Sequence, residues 1–371
     1  MSSKQRKYGI LLYPLSLLYG FIVGFRNLLF DLNILRTQEF AIPIISIGNI
    51  TVGGTGKTPH VEYIAGLLKY EFRIATLSRG YKRKTSGFRE VYIDSTSKEA
   101  GDEPLQIKNN HPDITVIVDE SRVHGIQKLM SDKEKQIQIV LLDDAFQHRY
   151  VKPGMSILLI DYNRPLHTDH LLPYGNLRES EHHKIRANII IVTKMTSEIK
   201  PIERRILEKD LRLFPYQTLY FTTIKYKNPV ILFPGKTVAI NYNFTKNKYN
   251  ILLVTGIASP DDLINHIKRF SSSVIHLKYK DHHVFTNKDI VKITNTFNSI
   301  SDENKIIITT EKDPLRLRQT QNRHLIEDLP AFYIPIEIDF LYGDKNRFNK
   351  QITEYVRKNK PVSSIYSNKN R

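Results

Sequence analysis

Short apolar runs alternate with helical patterns along the chain from Ala41 onward. The apolar runs are rich in Ile and Val and are bounded by polar or glycine residues, which is typical of buried parallel strands. In the first part of the chain the predicted strands are 43–47, 73–77, 115–118, 137–142, 156–160 and 188–192, with helices at positions such as 60–70 and 122–130. The alternation predicts an α/β fold with a parallel sheet and helices on both faces.

A second alternating block follows the first. Its predicted strands are 250–255, 273–277, 305–309 and 331–334, and its predicted helices lie near 260–270 and 287–297. Between the blocks, residues 227–240 contain two prolines and a glycine between two short β runs, which indicates an interdomain connection. We therefore expect a second, smaller α/β domain.

The N-terminal segment has a different pattern. Residues 8–25 carry no charge and follow three basic residues, and at about 1.5 Å per residue they just suffice to cross a thin hydrocarbon core. Because Pro14, Gly20 and Gly24 interrupt the run and polar positions follow, we predict an N-terminal amphipathic helix. An interfacial membrane anchor, a spanning helix and a buried core helix are all compatible with it, and the basic start suits an anionic cytoplasmic leaflet. No small-residue cleavage site follows, so we do not expect a signal peptide.

These patterns divide the chain into five predicted segments. They are an N-terminal membrane-associating helix at 1–37, a first α/β domain at 38–226, a linker with short strands at 227–247, a smaller α/β domain at 248–345, and a C-terminal helix with a basic tail at 346–371. The tail has the polar composition of a disordered segment.

Charge and cysteine content narrow the possible functions. The 371 residues include no cysteine, which excludes disulfides, thiolate metal sites and cysteine nucleophiles. The formal net charge of +17 implies an anionic partner, such as nucleic acid, a phosphorylated substrate or a membrane leaflet. We find no RNA-recognition or helix-turn-helix pattern.

A glycine-rich segment joins the first predicted strand to the helix after it. Positions 48–58 read Gly-Asn-Ile-Thr-Val-Gly-Gly-Thr-Gly-Lys-Thr. Glycines let backbone N–H groups surround phosphate oxygens, and the following helix N-terminus adds unpaired donors. Lys57 can neutralise nucleotide phosphates and Thr58 can coordinate Mg²⁺. The segment predicts a P-loop, although the common spacing has glycine where this chain has Thr51. The predicted nucleotide-binding residues are Thr51, Val52, Gly53, Gly54, Thr55, Gly56, Lys57 and Thr58.

A pair of acidic residues supports the P-loop prediction. The predicted strand 137–142 ends in Asp143 and Asp144, and the carboxyl end of a parallel strand faces the ligand edge of its sheet. Either aspartate can enter a Mg²⁺ shell, as the second carboxylate motif of P-loop enzymes does. Gln147 and His148 follow in the same loop.

Other polar groups also follow predicted strands or open predicted helices. Arg79 and Arg122 follow predicted strands, and Asp102 opens a helix, where an acid often serves only as a cap. A loop structured by Gly and Pro carries Arg178 and Glu179. In the second block, Asp-His-His at 281–283 lacks a third metal ligand at a standard spacing, and Thr-Glu-Lys-Asp at 310–313 is compatible with a helix cap.

Together and in this order, these motifs are specific. The chain reads Gly-Asn-Ile-Thr-Val-Gly-Gly-Thr-Gly-Lys-Thr-Pro, Ser-Arg-Gly-Tyr, Gly-Asp-Glu-Pro, Asp-Asp-Ala-Phe-Gln-His-Arg, Leu-Pro-Tyr-Gly-Asn-Leu-Arg-Glu, Asp-His-His and Thr-Glu-Lys-Asp. The combination resembles the tetraacyldisaccharide 4′-kinase family of lipid A biosynthesis, from the N-terminal apolar segment to about residue 340. The chain departs from the commoner family pattern at three loop positions, Ala145, Tyr174 and Asn176, where Gly, Ala and Pro are usual.

The resemblance implies an activity and a location. It implies transfer of the γ-phosphoryl group of ATP, with Mg²⁺, to the 4′-hydroxyl of a lipid A disaccharide 1-phosphate, which yields lipid IVA. Segment 38–226 is then the kinase domain. The implied partners are the lipid-linked disaccharide and the cytoplasmic face of the bacterial inner membrane, with no nucleic acid, and we expect a monomer.

The resemblance also implies residue roles. Asp102 matches the proposed catalytic base and His282 its partner across a domain cleft, which would require domain closure. The candidates for the metal site are Thr58, Asp143, Asp144 and Glu103. The candidates for substrate or phosphate contacts are Arg79, Arg122, Gln147, His148, Arg178 and Glu179.

Two alternatives come from other functional classes. A membrane-associated P-loop NTPase that acts as a switch would hydrolyse nucleotide without a phosphorylated product. A GTPase is disfavoured because Thr193-Lys194-Met195 stands where Asn-Lys-X-Asp would follow the strand. A basic nucleic-acid binder would need neither Lys57 nor Asp102.

Overall fold

The structure is a computed structural model that describes residues 3–195, 199–235 and 242–359, with side chains from residue 12 onward. Most of the predicted basic tail and part of the predicted linker lie outside the described residues. The helices are α1 (Ser3–Asp31), α2 (Lys57–Leu68), α3 (Ser97–Ala100), α4 (Asp102–Asn110), α5 (Arg122–Ser131), α6 (Pro201–Leu211), α7 (Asp261–Ile267), α8 (Asn287–Asn298), α9 (Pro314–Arg318), α10 (His324–Glu327) and α11 (Lys345–Asn359).

The strands form two sheets. They are β1 (Ile44–Gly48), β2 (Ile74–Ser78), β3 (Arg89–Glu90), β4 (Thr115–Val118), β5 (Ile139–Asp143), β6 (Met155–Asp161), β7 (Ile189–Thr193), β8 (Thr218–Tyr226), β9 (Val230–Ile231), β10 (Tyr249–Thr255), β11 (Ser271–Lys278), β12 (Lys305–Thr310), β13 (Ala331–Ile334) and β14 (Ile336–Phe340).

The larger sheet has nine strands in the order β14-β8-β7-β6-β1-β5-β2-β4-β3. The strands from β8 through β4 pair in parallel, and the short β3 pairs antiparallel with β4. Every residue of β1, β5 and β7 is buried, which explains their continuous apolar sequences. The strand order reverses at β1, so the carboxyl ends of β1, β5 and β6 border the crevice where such sheets bind ligands.

The smaller sheet has five strands in the order β11-β10-β12-β13-β9. The first four are parallel and β9 pairs antiparallel with β13. One face packs against α8, whose Ile290, Ile293 and Phe297 are buried in the core. The expected α/β fold with a second, smaller α/β domain is therefore confirmed.

The chain forms two compact units whose limits differ from the predicted segments. The first unit contains residues 1–93, 107–224 and 338–371, and the second contains 94–106 and 225–337. The predicted first domain, 38–226, included 94–106, which the structure groups with the second unit. Strand β8 was missed by the sequence prediction because its mixture of Thr, Tyr and Lys lacks an aliphatic run.

Helix α1 has an unusual distribution of side chains. Its apolar residues Leu17, Phe21 and Ile22 are 59, 72 and 58% exposed, whereas its polar Ser16 and Asn27 are buried. The polar side contacts the rest of the first unit, since the Ser16 hydroxyl donates to the Leu171 carbonyl over 2.7 Å. Among the described residues, α1 is the one helix that is long and apolar enough to cross a membrane. Only 11% of its segment Leu12–Asp31 is buried. These exposures exclude the buried core helix among the three sequence alternatives.

Candidate active site

The predicted P-loop lies between β1 and α2 in the first unit. Gly56 precedes the first residue of α2 with φ of +86°, a left-handed conformation that favours glycine. Gly48 ends β1, and a Cβ there would lie 2.7 Å from the Cβ of Phe146. The glycines at these two positions are therefore required by backbone conformation and by close approach. The result is a strand, a tight loop and an open helix N-terminus, which is an anion-binding geometry.

The structure explains why Thr51 occupies a common glycine position. Thr51 forms an antiparallel bridge with Leu177, in which a β-branched residue is favourable. On either side the Val52 N–H donates to the Asn176 carbonyl over 2.8 Å, and the Arg178 N–H donates to the Ile50 carbonyl over 2.7 Å. The loop that carries Arg178 is thus joined by its backbone to the P-loop.

Side chains from neighbouring elements fix the P-loop backbone. The Gln147 amide donates to the Asn49 carbonyl over 2.7 Å, and the Arg164 guanidinium donates to the Val52 carbonyl over 2.9 Å. His60, in α2, lies 2.7 Å from the Gly56 carbonyl through Nδ1, and burial lowers its pKa to about 4. Gln147 therefore supports the loop in this structure, and its role as a substrate or phosphate contact stays a prediction.

Asp144 is the centre of a charged cluster beside this loop. Its Oδ1 lies 3.5 Å from Lys57 Nζ and 3.2 Å from Arg178 Nη1. Burial raises the pKa of Asp144, but the charges of Lys57 and then Arg178 lower it by more, so the pKa lies below its usual value. The structure therefore brings together three of the predicted site residues from three separate motifs.

Further predicted residues surround the buried Asp143. Arg122 is 4% exposed, and its Nε has no hydrogen-bond partner among the described residues. Burial lowers the pKa of Arg122, while the charges of Asp143 and Asp144 raise it. The nearby His148 has its pKa lowered to about 4, by burial first and then by Arg122. A buried guanidinium with an unused donor suits an anionic ligand.

Glu179 occupies a different environment from its neighbour Arg178. Its side chain is fully buried and accepts hydrogen bonds from Arg186 and from Arg26, the latter over 3.3 Å. Asn27 contacts the same carboxylate over 3.5 Å. Since Arg26 and Asn27 belong to α1, Glu179 joins this helix to the loop that pairs with the P-loop.

The second unit contains a separate cluster around Asp102. Asp102 Oδ2 lies 3.2 Å from His282 Nδ1 and accepts hydrogen bonds from Arg316 Nη2 at 2.6 Å and Nε at 3.2 Å. Burial raises the pKa of Asp102, but its hydrogen bond to His282 and its interactions with Arg316 lower it to about 2. Asp102 and His282 were predicted to lie in different domains, whereas here both belong to one compact unit.

Arg316 and Asp313 were not among the predicted site residues. Arg316 Nη1 donates to Asp313 Oδ1 over 3.2 Å, and both side chains are almost fully buried. Asp313 directly precedes α9, but its carboxylate does not cap that helix. Its position in Thr-Glu-Lys-Asp, directly after β12, was the available signal.

The donor set of the first unit fits Mg²⁺ bound together with phosphate. The described residues contain no group of three or more His, Cys, Asp or Glu that could hold a metal, and Mg²⁺ commonly uses one or two carboxylates plus phosphate and water. The Thr58 hydroxyl and the carboxylates of Asp143 and Asp144 provide this chemistry at the ends of α2 and β5. Glu103 lies in the second unit, where its Oε1 is 3.7 Å from His282 Nε2, and its role in metal binding stays a prediction.

Comparisons with known proteins give one consistent result. The family model described as tetraacyldisaccharide-1-P 4′-kinase (LpxK) matches residues 8–357. A tetraacyldisaccharide 4′-kinase of Bacteroides thetaiotaomicron is 46% identical over 367 residues, which cover 97% of this chain and 96% of that one. A kinase of the same name from Phocaeicola vulgatus is 47% identical over 358 residues, covering 95% and 97%.

A solved structure agrees in fold. The crystal structure of an "apo" form of LpxK from Aquifex aeolicus in complex with ATP aligns with a TM-score of 0.69 and 24% identity, over 95% of this chain and 99% of that one. The family resemblance inferred from the motifs is confirmed. The match over residues 8–357 and the extent of the similarity to curated relatives place this chain in the tetraacyldisaccharide-1-P 4′-kinase family.

Proposed function

We propose that this chain phosphorylates the 4′-hydroxyl of tetraacyldisaccharide 1-phosphate with ATP, a step of lipid A biosynthesis that yields lipid IVA. The hydroxyl oxygen forms a bond to the γ-phosphorus, the bond from that phosphorus to the bridging oxygen of ADP breaks, and the hydroxyl proton passes to a carboxylate. The observation that carries this proposal is the family match across residues 8–357, together with a complete Gly-Lys-Thr at the P-loop.

The first unit provides the nucleotide site in this proposal. Backbone N–H groups of the P-loop glycines and of the first turn of α2 bind the phosphates, and Lys57 and Arg178 neutralise the charge that develops on them. Arg122, with its unused buried donor, and Arg79 add positive charge at the same edge of the sheet. Thr58 and Asp143 or Asp144 would hold Mg²⁺, which would supply positive charge to stabilise the negative charge of the phosphates.

The second unit provides the proton acceptor. Asp102 is fully ionised at neutral pH because its pKa is about 2, so it is always available to accept a proton. A base this weak does not deprotonate a sugar hydroxyl in advance. It accepts the proton late, as the new bond to phosphorus forms and the hydroxyl becomes acidic.

Helix α1 supports a peripheral membrane location. Its polar side contacts the first unit at points from Ser16 to Asp31, a length of about 22 Å at 1.5 Å per residue. A helix that lies along the protein over this distance exposes its apolar side to an interface more readily than it spans a bilayer. We assign the chain to the cytoplasmic face of the inner membrane, where ATP is available, as a monomer.

A product assay tests the function. Purified full-length chain is incubated with γ-³²P-ATP, Mg²⁺ and tetraacyldisaccharide 1-phosphate in mixed micelles, and the lipid is separated and counted. We expect labelled lipid from the wild type and a loss of at least 100-fold with Lys57→Ala, because the charge on the transferred phosphoryl group is then not neutralised. The matched control is Lys69→Ala at the end of the same helix, whose exposed pair with Asp113 contributes little.

The outcome also separates the alternatives. Phosphate release without labelled lipid would favour an NTPase switch and would overturn the kinase assignment. Nucleic-acid binding that is unchanged in Lys57→Ala, again without labelled lipid, would favour a basic nucleic-acid binder.

A further inference from the structure

We infer that Arg316 is a positioning residue, which fixes the carboxylate of Asp102 and the ring of His282 and is itself fixed by Asp313. The inference deepens the proposed function, on which it rests, because it assigns a residue to the orientation of the proton acceptor. It stands on contacts within the second unit alone.

The first observation is the geometry of the Asp102 contacts. Arg316 places Nη2 and Nε on the same oxygen, Oδ2, at 2.6 and 3.2 Å, and His282 Nδ1 approaches this oxygen too. Two donors on one planar group restrict rotation of the carboxylate more than a single contact would. Oδ2 is thereby occupied by these donors, so in the proposed reaction we assign proton acceptance to Oδ1.

The second observation is the position of Arg316 relative to His282. Arg316 Nη2 lies 3.2 Å from His282 Nδ1, the same nitrogen that faces Asp102. An arginine can only donate a hydrogen bond, so Nδ1 accepts from Arg316 when it carries no proton and donates to Asp102 when it does. Arg316 therefore contacts both members of the pair and links the proton on His282 to the placement of Asp102.

The third observation is how the arginine is fixed. Arg316 is only 4% exposed in its side chain, and the fully buried Asp313 accepts its Nη1 over 3.2 Å. The other oxygen of Asp313 accepts the Gly256 N–H over 3.1 Å, and the Gly256 carbonyl accepts the His282 N–H over 3.1 Å. One buried carboxylate thus connects the arginine to the backbone of His282.

The backbone of His282 supports the same conclusion. Its φ is +59°, which is uncommon for a residue other than glycine. Such conformations persist where the surroundings fix them and cluster at functional sites. The contacts of Asp313 with Gly256 and of the Gly256 carbonyl with the His282 N–H supply that support.

Kinetics of Arg316 variants test the inference in the full-length chain. We expect Arg316→Gln to lower kcat by about 10- to 100-fold, with the KM for ATP changed less than 3-fold, because the nucleotide site is in the other unit. Arg316→Lys, which keeps the charge but loses the two-point contact, should recover part of the loss. The matched control is Arg318→Gln in the same short helix, whose Nε donates to the Leu232 carbonyl and not to Asp102; its kcat should stay near wild type.

A double-mutant cycle distinguishes positioning from general structural support. In the Asp102→Asn background, Arg316→Gln should cause no further loss beyond about 2-fold, because the group it positions no longer accepts a proton. Equal losses in both backgrounds, or a wild-type kcat for Arg316→Gln, would overturn the inference. If Arg316→Gln does not fold, as judged by circular dichroism, the same cycle with Arg316→Lys decides by the same criteria. Absence of phosphorylated lipid from the wild type would instead contradict the proposed function.

Discussion

Each compact unit contains a carboxylate paired with basic side chains, and the two pairs differ in their exposure. In the first unit, the side chains of Asp144, Lys57 and Arg178 are 38, 15 and 29% exposed. In the second, Asp102 is 25% exposed, but Arg316 is 4% and its anchor Asp313 is 0% exposed. The side chains of the first cluster are accessible to a ligand that replaces their ion-pair partners. The second cluster is fixed by the buried ion pair of Arg316 and Asp313.

The two clusters also differ in their charge balance. Around Asp144 the basic side chains outnumber the acidic ones, since Lys57, Arg178 and Arg122 act on two aspartates. Around Asp102 the acidic side chains outnumber the basic one, since Arg316 pairs with both Asp102 and Asp313. Excess positive charge suits a site that receives an anion, whereas a guanidinium held between two carboxylates suits a site that preserves one geometry. We therefore propose that the first cluster binds the nucleotide and that the second orients the proton acceptor.

The largest expected effect comes from neutralising each carboxylate separately. Asp102→Asn should lower kcat by about 10²- to 10⁴-fold, the usual range for loss of a general base, and leave the affinity for ATP unchanged. Asp144→Asn should weaken the binding of ATP in the presence of Mg²⁺, since its ion pair with Lys57 is lost and the predicted Mg²⁺ site loses one of its candidate carboxylates. Initial rates together with equilibrium binding of ATP measure both effects. If both variants reduced ATP affinity equally, the proposed difference between the two clusters would be wrong.

A smaller effect, on stability, is expected from removing the buried carboxylate of Glu179 in the first unit. Glu179→Ala leaves Arg26 and Arg186 without their buried carboxylate, and removal of one partner of such a pair costs about 3–5 kcal/mol in the free energy of unfolding. Urea unfolding of the purified variant measures this loss.

The control for Glu179 is an exposed pair in the same unit. Glu39→Ala breaks its contact with Lys152, in which both side chains are more than 60% exposed, and should change stability by less than about 1 kcal/mol. Equal stability of the Glu179 and Glu39 variants would show that the burial of an ion pair does not determine its contribution to the stability of this protein.

The smallest expected effect concerns membrane binding, and among the kinetic constants it should change only the KM for the lipid acceptor. Phe21→Ser and Ile22→Ser remove apolar side chains from the exposed side of α1, each worth about 1.5–3 kcal/mol when buried. We expect weaker sedimentation with phosphatidylglycerol vesicles and a higher KM for the lipid, with an unchanged KM for ATP. Tyr70→Ser, which removes an 87% exposed ring from the turn after α2, is the control. Equal vesicle binding by all three variants would refute the role of α1.

The sequence by itself determined the parts of this protein that depend on residues close together in the chain. Continuous aliphatic runs located the buried parallel strands, because a strand covered on both faces has no polar alternation. The P-loop with Lys57 and Thr58 was readable because a strand, a glycine-rich turn and a helix N-terminus follow one another in the chain. The motif order also identified the family, which the comparisons confirm.

Only the tertiary structure decided which polar groups meet. The partners of Asp102 are 180 and 214 positions away in the chain, so no local pattern could connect Arg316 to it. The bridge between Thr51 and Leu177 and the burial of Glu179 against α1 depend on the same kind of distant contact. Hydrophobic periodicity reports which side chains avoid water, but a buried charge is stabilised only by the particular partner that the fold brings to it.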